Sequence, residues 1–183
     1  MMLPNNYFKL LGLPVQFSLN TQDLKTRYLA SIKVLHPDQF VATSWEAQSA
    51  ATELAGEINT AFAKLKDPLY RAIHILALNG VDLMLDGNMH TDEAFLLTQM
   101  DFQERLSEIM HSHNQKALQA FIEEIALEVK TRFDALALLL DENVSENIEK
   151  ARNCICELQF YLRLNEEAKK YGKCDSTIGQ NPE

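Results

Sequence analysis

A proline set between two helical stripes constrains this chain more than any other feature. Leu24, Tyr28, Ile32 and Leu35 recur at intervals of four, four and three, which lines one face of an α-helix. Pro37 stops that run, because proline lacks an N–H, clashes with the preceding turn and pushes His36 out of the helical region. Asp38 suits the turn that must follow. Thr43-x-x-Glu46 is a capping-box pattern that opens a second stripe: Ala47, Ala51, Leu54, Ile58, Ala61, Phe62 and Leu65. Two stripes joined by a loop predict an antiparallel helical hairpin with His36-Pro37-Asp38 at its open end. The early alanines of the second stripe permit close approach of the two helices. Lys25, Arg27 and Lys33 lie off the first stripe and make its outer surface basic.

The rest of the chain reads as helix too. A short apolar helix over 7–13 is stopped by Gly12 and Pro14, and Asn20 or Thr21 caps the helix after it. Lys66-Asp67-Pro68 ends the second hairpin helix, and a further helix over 69–76 stops at Asn79-Gly80. Residues 80–91 read as a connector. Three single-faced stripes then predict helices over 92–112, 115–141 and 145–171, joined by loops short enough for an antiparallel three-helix bundle. Their core residues are Phe95, Phe102, Leu106, Ile109 and Met110, then Leu118 through Leu140, then Ile148, Ala151, Ile155, Leu158 and Leu162. The tail 172–183 has no periodicity and reads as disordered. The expected architecture is all-α: a module over 1–79, the connector, and a bundle over 92–171. With 6 Gly and 5 Pro in 183 residues, composition agrees.

Charge divides the chain unevenly. Residues 1–80 carry 7 Lys and Arg against 6 Asp and Glu, whereas residues 81–183 carry 10 against 20. The acidic C-terminal half argues against nucleic acid as a partner, and the split points to two modules with different partners. No apolar run approaches the roughly 20 residues of a membrane span, and no secretory signal opens the chain. Cys154, Cys156 and Cys174 form no disulfide framework, which fits a reducing cytoplasm. On a helix Cys154 and Cys156 point about 200° apart and cannot chelate one ion together, and the same geometry weakens His111-x-His113 as a metal site. No metal site is expected.

Some apolar residues fall off the stripes. With Phe95 as zero, Leu96, Leu97 and Met100 lie about 100° to 160° away on the helical wheel, beside Asp101 and Glu104. Phe160 points about 170° from the core stripe of the last helix. Isolated exposed apolar residues are ordinary. A group of large ones flanked by acids is a candidate protein-binding patch.

The order Tyr7-Phe8…Leu11-Gly12, a basic helix, His36-Pro37-Asp38 and Ile58-Asn59-x-Ala61…Leu65 resembles a J domain over the first 75–80 residues. That resemblance implies that His36, Pro37 and Asp38 trigger ATP hydrolysis by a DnaK-type chaperone and that Arg27 and Lys33 contact it. Gln39 stands where many J domains carry Lys or Arg, leaving one fewer positive charge at the loop. There is no Gly-rich segment and no CxxC repeat of the general-purpose J proteins. Instead, Phe95-Leu96-Leu97-x-Gln99-Met100…Glu104-x-Leu106-x-Glu108-Ile109, with Leu158-x-Phe160-x-x-x-Leu164, resembles the HscB family of iron–sulfur co-chaperones over about residues 5–170. By that resemblance Leu96, Leu97, Met100, Asp101, Glu104 and Phe160 bind the scaffold protein IscU. Asp101 stands where a longer glutamate is common. Some eukaryotic members carry an added N-terminal cysteine-rich segment; this chain starts at the J domain and looks bacterial in type.

The implied function is that of an adaptor without cofactor or chemistry of its own. It holds IscU on the bundle, delivers it to the chaperone HscA and stimulates HscA's ATPase. A J protein serving a different client is the nearest alternative. An enzyme using His36 and Asp38 as an acid–base pair would need a pocket and a nucleophile or metal, which the sequence does not offer. A plain helical interaction protein would make His36-Pro37-Asp38 incidental.

Overall fold

The computed structural model describes residues 6–35, 44–81, 83, 93–141 and 144–178. Its elements are α1 (Tyr7–Leu10), α2 (Thr21–Val34), α3 (Trp45–Lys66), α4 (Pro68–Leu78), α5 (Glu93–Ser112), α6 (Gln115–Asp141) and α7 (Val144–Ile178). Among the described residues the fold is all-α: a hairpin of α2 and α3, and later in the chain a three-helix bundle of α5, α6 and α7. The chain divides into two compact units: Met1–Leu85 with Leu139–Ile148, and Asp86–Leu138 with Glu149–Glu183. The sequence placed 92–171 wholly in the bundle; here Leu139–Ile148 groups with the N-terminal unit.

In the N-terminal unit, α1 ends on Gly12, whose φ of 64° places it in the left-handed region. Gly12 donates to the Lys9 carbonyl and Leu13 to that of Phe8 at 2.8 Å, the paired bonds of a Schellman cap. Asn20 caps α2, accepting from the amides of Gln22 and Asp23. The hairpin forms through ring stacking of Tyr28 on Phe62, with centroids 4.1 Å apart, and a bond from the Tyr28 hydroxyl to Asn59 Oδ1 at 3.0 Å. The N-cap of α3 is Ser44, not Thr43, and its side chain accepts from Ala47 N–H. The third helical position is therefore Ala47 rather than Glu46, and Glu46 instead lies in the positive first turn. There backbone and Ser44 hydrogen bonds lower its pKa. Asp67 caps α4, with Pro68 in the first turn where a missing N–H costs nothing.

Among the described residues of this unit, Arg71 and His74 are buried polar side chains. Arg71 donates from Nε to the Leu65 carbonyl at 2.8 Å and from Nη1 to the Phe17 carbonyl at 2.7 Å. The amide of Phe17 donates to Asp141 Oδ1 at 2.6 Å, and that of Ser18 to both oxygens of Asp141. Phe17 is thus held through both its backbone groups, and Asp141, near the end of the α6 sequence, closes the loop between α1 and α2.

His74 stacks on Tyr7 at 4.4 Å and accepts the Tyr7 N–H at Nε2 over 3.1 Å. The imidazole is therefore neutral, with its proton on Nδ1, and burial pushes its pKa below the usual 6.5. The unfolded chain binds the extra proton first as pH falls through 6.5. Stability is then full above that pH and declines below it until the lower folded pKa is passed. We expect His74→Gln, which can still accept the Tyr7 N–H, to flatten the fall of Tm on acidification. An unchanged Tm-versus-pH curve would remove His74 from the acid response.

The bundle core contains Phe102, Leu106, Leu118, Phe121, Ile125, Phe160, Tyr161, Leu164 and Ala168. Phe95, Ile109 and Met110 pack against it as their stripe predicts. Two expectations need correction. Phe160, placed off the core by the helical wheel, is only 7% exposed and meets Phe95 edge-on at 5.7 Å. A helix between two neighbours buries an arc wider than one stripe. On α7 the buried set changes along its length, from Ala151, Ile155 and Leu158 to Phe160, Tyr161, Leu164 and Ala168. Leu162, assigned to the core, is half-buried.

The second correction concerns the end of α7, which runs to Ile178 through part of the expected tail 172–183. Gly172 lowers helix propensity but does not stop the helix. The Tyr171 hydroxyl donates to the Met110 carbonyl at 2.8 Å and pins this end of α7 to the end of α5. Gly172 lies so close to α6 that a Cβ there would stand 3.1 Å from Leu118 Cδ2.

Candidate functional site

Two regions carry the residues singled out in the sequence. The first is the hairpin. His36, Pro37 and Asp38, with Gln39, lie outside the described residues. Of the basic residues on α2, Lys33 is exposed. Arg27 is engaged: Nε lies 3.0 Å from Asp23 Oδ2, and Nη1 donates to the Gly12 carbonyl. Much of its donor capacity thus goes to holding α2 onto the end of α1. Sequence reasoning missed Leu29, which sits between Lys25 and Lys33 at intervals of four and is exposed with them. That spacing was the available signal, since it makes a second stripe opposite the buried one. Trp45, the single tryptophan of the chain, is 76% exposed in the first turn of α3.

The second region is the N-terminal half of α5. Leu96, Leu97 and Met100 are 47%, 64% and 68% exposed, and Asp101 and Glu104 are exposed beside them. Phe95 turns inward from the same helix onto Phe160 and Tyr161, whose rings pack edge-on at 5.7 and 6.0 Å. Phe160 therefore stiffens the wall behind the patch and does not contribute a projecting side chain. Sequence reasoning also missed Arg105. It lies one turn after Asp101, with Nη1 3.7 Å from the Asp101 carboxylate, and it grips both oxygens of Glu124 on α6 at 3.0 and 2.5 Å. Hydrogen bonding to Arg105 lowers the pKa of Glu124, so the pair is charged at neutral pH.

Cys154 and Cys156 on α7 do not form a reactive centre. Cys154 is buried and lies 3.5 Å from the Arg132 carbonyl, and burial pushes its pKa up to about 11. The thiol stays protonated at neutral pH and is a poor nucleophile and a poor ligand. Burial also raises Cys156. Among the described residues no helix is long and apolar enough to cross a membrane.

Residues 91–169 match a family model described as the HSCB C-terminal oligomerisation domain. The co-chaperone protein HscB homolog of Shewanella amazonensis is 34% identical over 173 residues, covering 90% of this chain and 95% of that one. Its counterpart in Haemophilus influenzae is 36% identical over 166 residues, covering 90% and 94%. Among solved structures, chaperone HscB from Vibrio cholerae superposes with a TM-score of 0.74 at 31% identity, covering 90% of this chain and 96% of that one. Human co-chaperone HscB shares the fold, with a TM-score of 0.78 at 21% identity over 92% of this chain and 83% of that one. With an N-terminal J-type hairpin, a C-terminal three-helix bundle and such identity along nearly the whole of both bacterial relatives, the chain belongs to the HscB co-chaperone family.

Proposed function

We propose that this chain is a two-ended adaptor of iron–sulfur cluster assembly, working in the cytoplasm. The bundle binds the scaffold IscU through Leu96, Leu97 and Met100, with Asp101 and Glu104 at the edge and Phe160 supporting from behind. The N-terminal unit docks on the DnaK-type chaperone HscA through His36, Pro37 and Asp38, with Lys33 and Arg27 beside them, and stimulates its ATP hydrolysis. The adaptor delivers the scaffold to HscA, and cluster transfer follows. The observation that carries this reading is the exposed group of three large apolar side chains flanked by two acids on α5. Such a group suits a partner with an apolar surface and a basic rim. The adaptor supplies binding energy and no chemistry.

The test is the steady-state ATPase of HscA with IscU alone, with this protein alone and with both. Synergy is expected, and Asp38→Asn is expected to abolish this protein's share of it. Raising the salt should weaken docking at the basic helix. Stimulation that ignores IscU would leave a J protein with another client. No stimulation at all would overturn the reading.

A further inference from the structure

Arg105 has no assigned part in the patch, and its surroundings give it one. It is 38% exposed and sits one helical turn from Asp101, which is 64% exposed. Its fork is fixed from the other side by the two bonds to Glu124. Its guanidinium also lies over the rings of Phe102 and Phe121, at 5.1 and 5.3 Å from their centroids. A long cationic side chain is ordinarily free to swing away from a surface acid. This one is held at both ends, so its charge stays beside Asp101.

We infer that Arg105 is a positioning residue that restrains Asp101 and sets how far the patch relies on charge rather than apolar contact to choose its partner. A basic side chain on the scaffold must compete with Arg105 for Asp101, and it also meets the fixed positive charge of Arg105 itself. Asp101 is the short acid of the pair flanking the patch, so it gives up reach when it turns toward Arg105. Glu104, the longer acid and exposed beside the patch, carries the larger part of the attraction. The patch is thereby biased toward partners that fit its leucines and methionine, and away from basic surfaces in general. Glu124, on another helix, acts through Arg105 by drawing the guanidinium toward itself.

This inference rests on the scaffold-binding reading, and the experiment separates the two. IscU binding to the full chain is measured by titration calorimetry at low and high salt for the native protein, Arg105→Gln, Asp101→Asn, the double variant and Glu124→Gln. Thermal unfolding is recorded for each. Arg105→Gln is expected to bind about three-fold tighter at low salt, the size of a released surface ion pair, with the gain lost at high salt. Asp101→Asn is expected to weaken binding, and by more in the Arg105→Gln background than in the native one. Glu124→Gln, which leaves the whole charge of Arg105 to Asp101, is expected to weaken binding. If Arg105 were only a staple between α5 and α6, Arg105→Gln would lower Tm and leave affinity and its salt dependence unchanged, which overturns the inference alone. Failure of the native protein to bind IscU would overturn the scaffold-binding reading, and the inference with it.

Discussion

Replacing Leu97 and Met100 together by alanine is expected to weaken scaffold binding by roughly 100-fold or more while leaving Tm unchanged. Both side chains stand largely in solvent in the free protein, so their truncation removes little packing. Burying a leucine or methionine side chain at an interface contributes about 1.5–3 kcal/mol, and each 1.4 kcal/mol is tenfold in affinity. The two together therefore exceed what the acids at the rim supply, because exposed ion pairs are worth about 0–1 kcal/mol each. Calorimetric titration with IscU, set against thermal unfolding of the same preparations, checks both halves. Unchanged affinity would move the interface elsewhere on the bundle. A parallel loss of Tm would mean that these side chains are packed and not waiting for a partner.

Arg71→Met is expected to cost about 3 kcal/mol of stability, and for a chain of this size to lower Tm by roughly 10 °C. Methionine can fill much of the apolar path of the arginine stem but offers no donor. The carbonyls of Leu65 and Phe17 would lose bonds of 2.8 and 2.7 Å in a place that water does not reach readily. Asp67 and Asp141, whose charges favour the guanidinium against the burial that lowers its pKa, would lose their cation. Arg71→Lys restores the charge but not the fork, and should fall between the two. A variant as stable as the native protein would show that those carbonyls find other donors.

Much of the fold was legible because helices advertise themselves by spacing. The stripe from Leu24 to Leu35 and the cap at Asn20 are local features, and local features can be read from local sequence. What escaped depends on residues far apart. Phe160 looks misplaced on a single wheel because the wheel knows one neighbour, whereas α7 is buried on more than one side. The tail from Gly172 looks aperiodic because nothing nearby in sequence reveals that Tyr171 is tied to Met110. At the patch, Leu96, Leu97 and Met100 were readable as off-stripe residues, yet the grip of Glu124 on Arg105 joins two helices. The resemblance to a family supplied His36, Pro37 and Asp38 with a role that no spacing could give them.

The bond from Phe17 to Asp141 spans 124 positions of sequence. A ribosome delivers Phe17 early and Asp141 late. At about 5–20 residues per second, the loop between α1 and α2 waits roughly 6–25 s for the carboxylate that closes it. The N-terminal unit is therefore translated first but finished late, after α5 and α6 have been made. A chain cut short before Asp141 would lack the carboxylate that holds the Phe17 and Ser18 amides, and its N-terminal unit would stay unfinished.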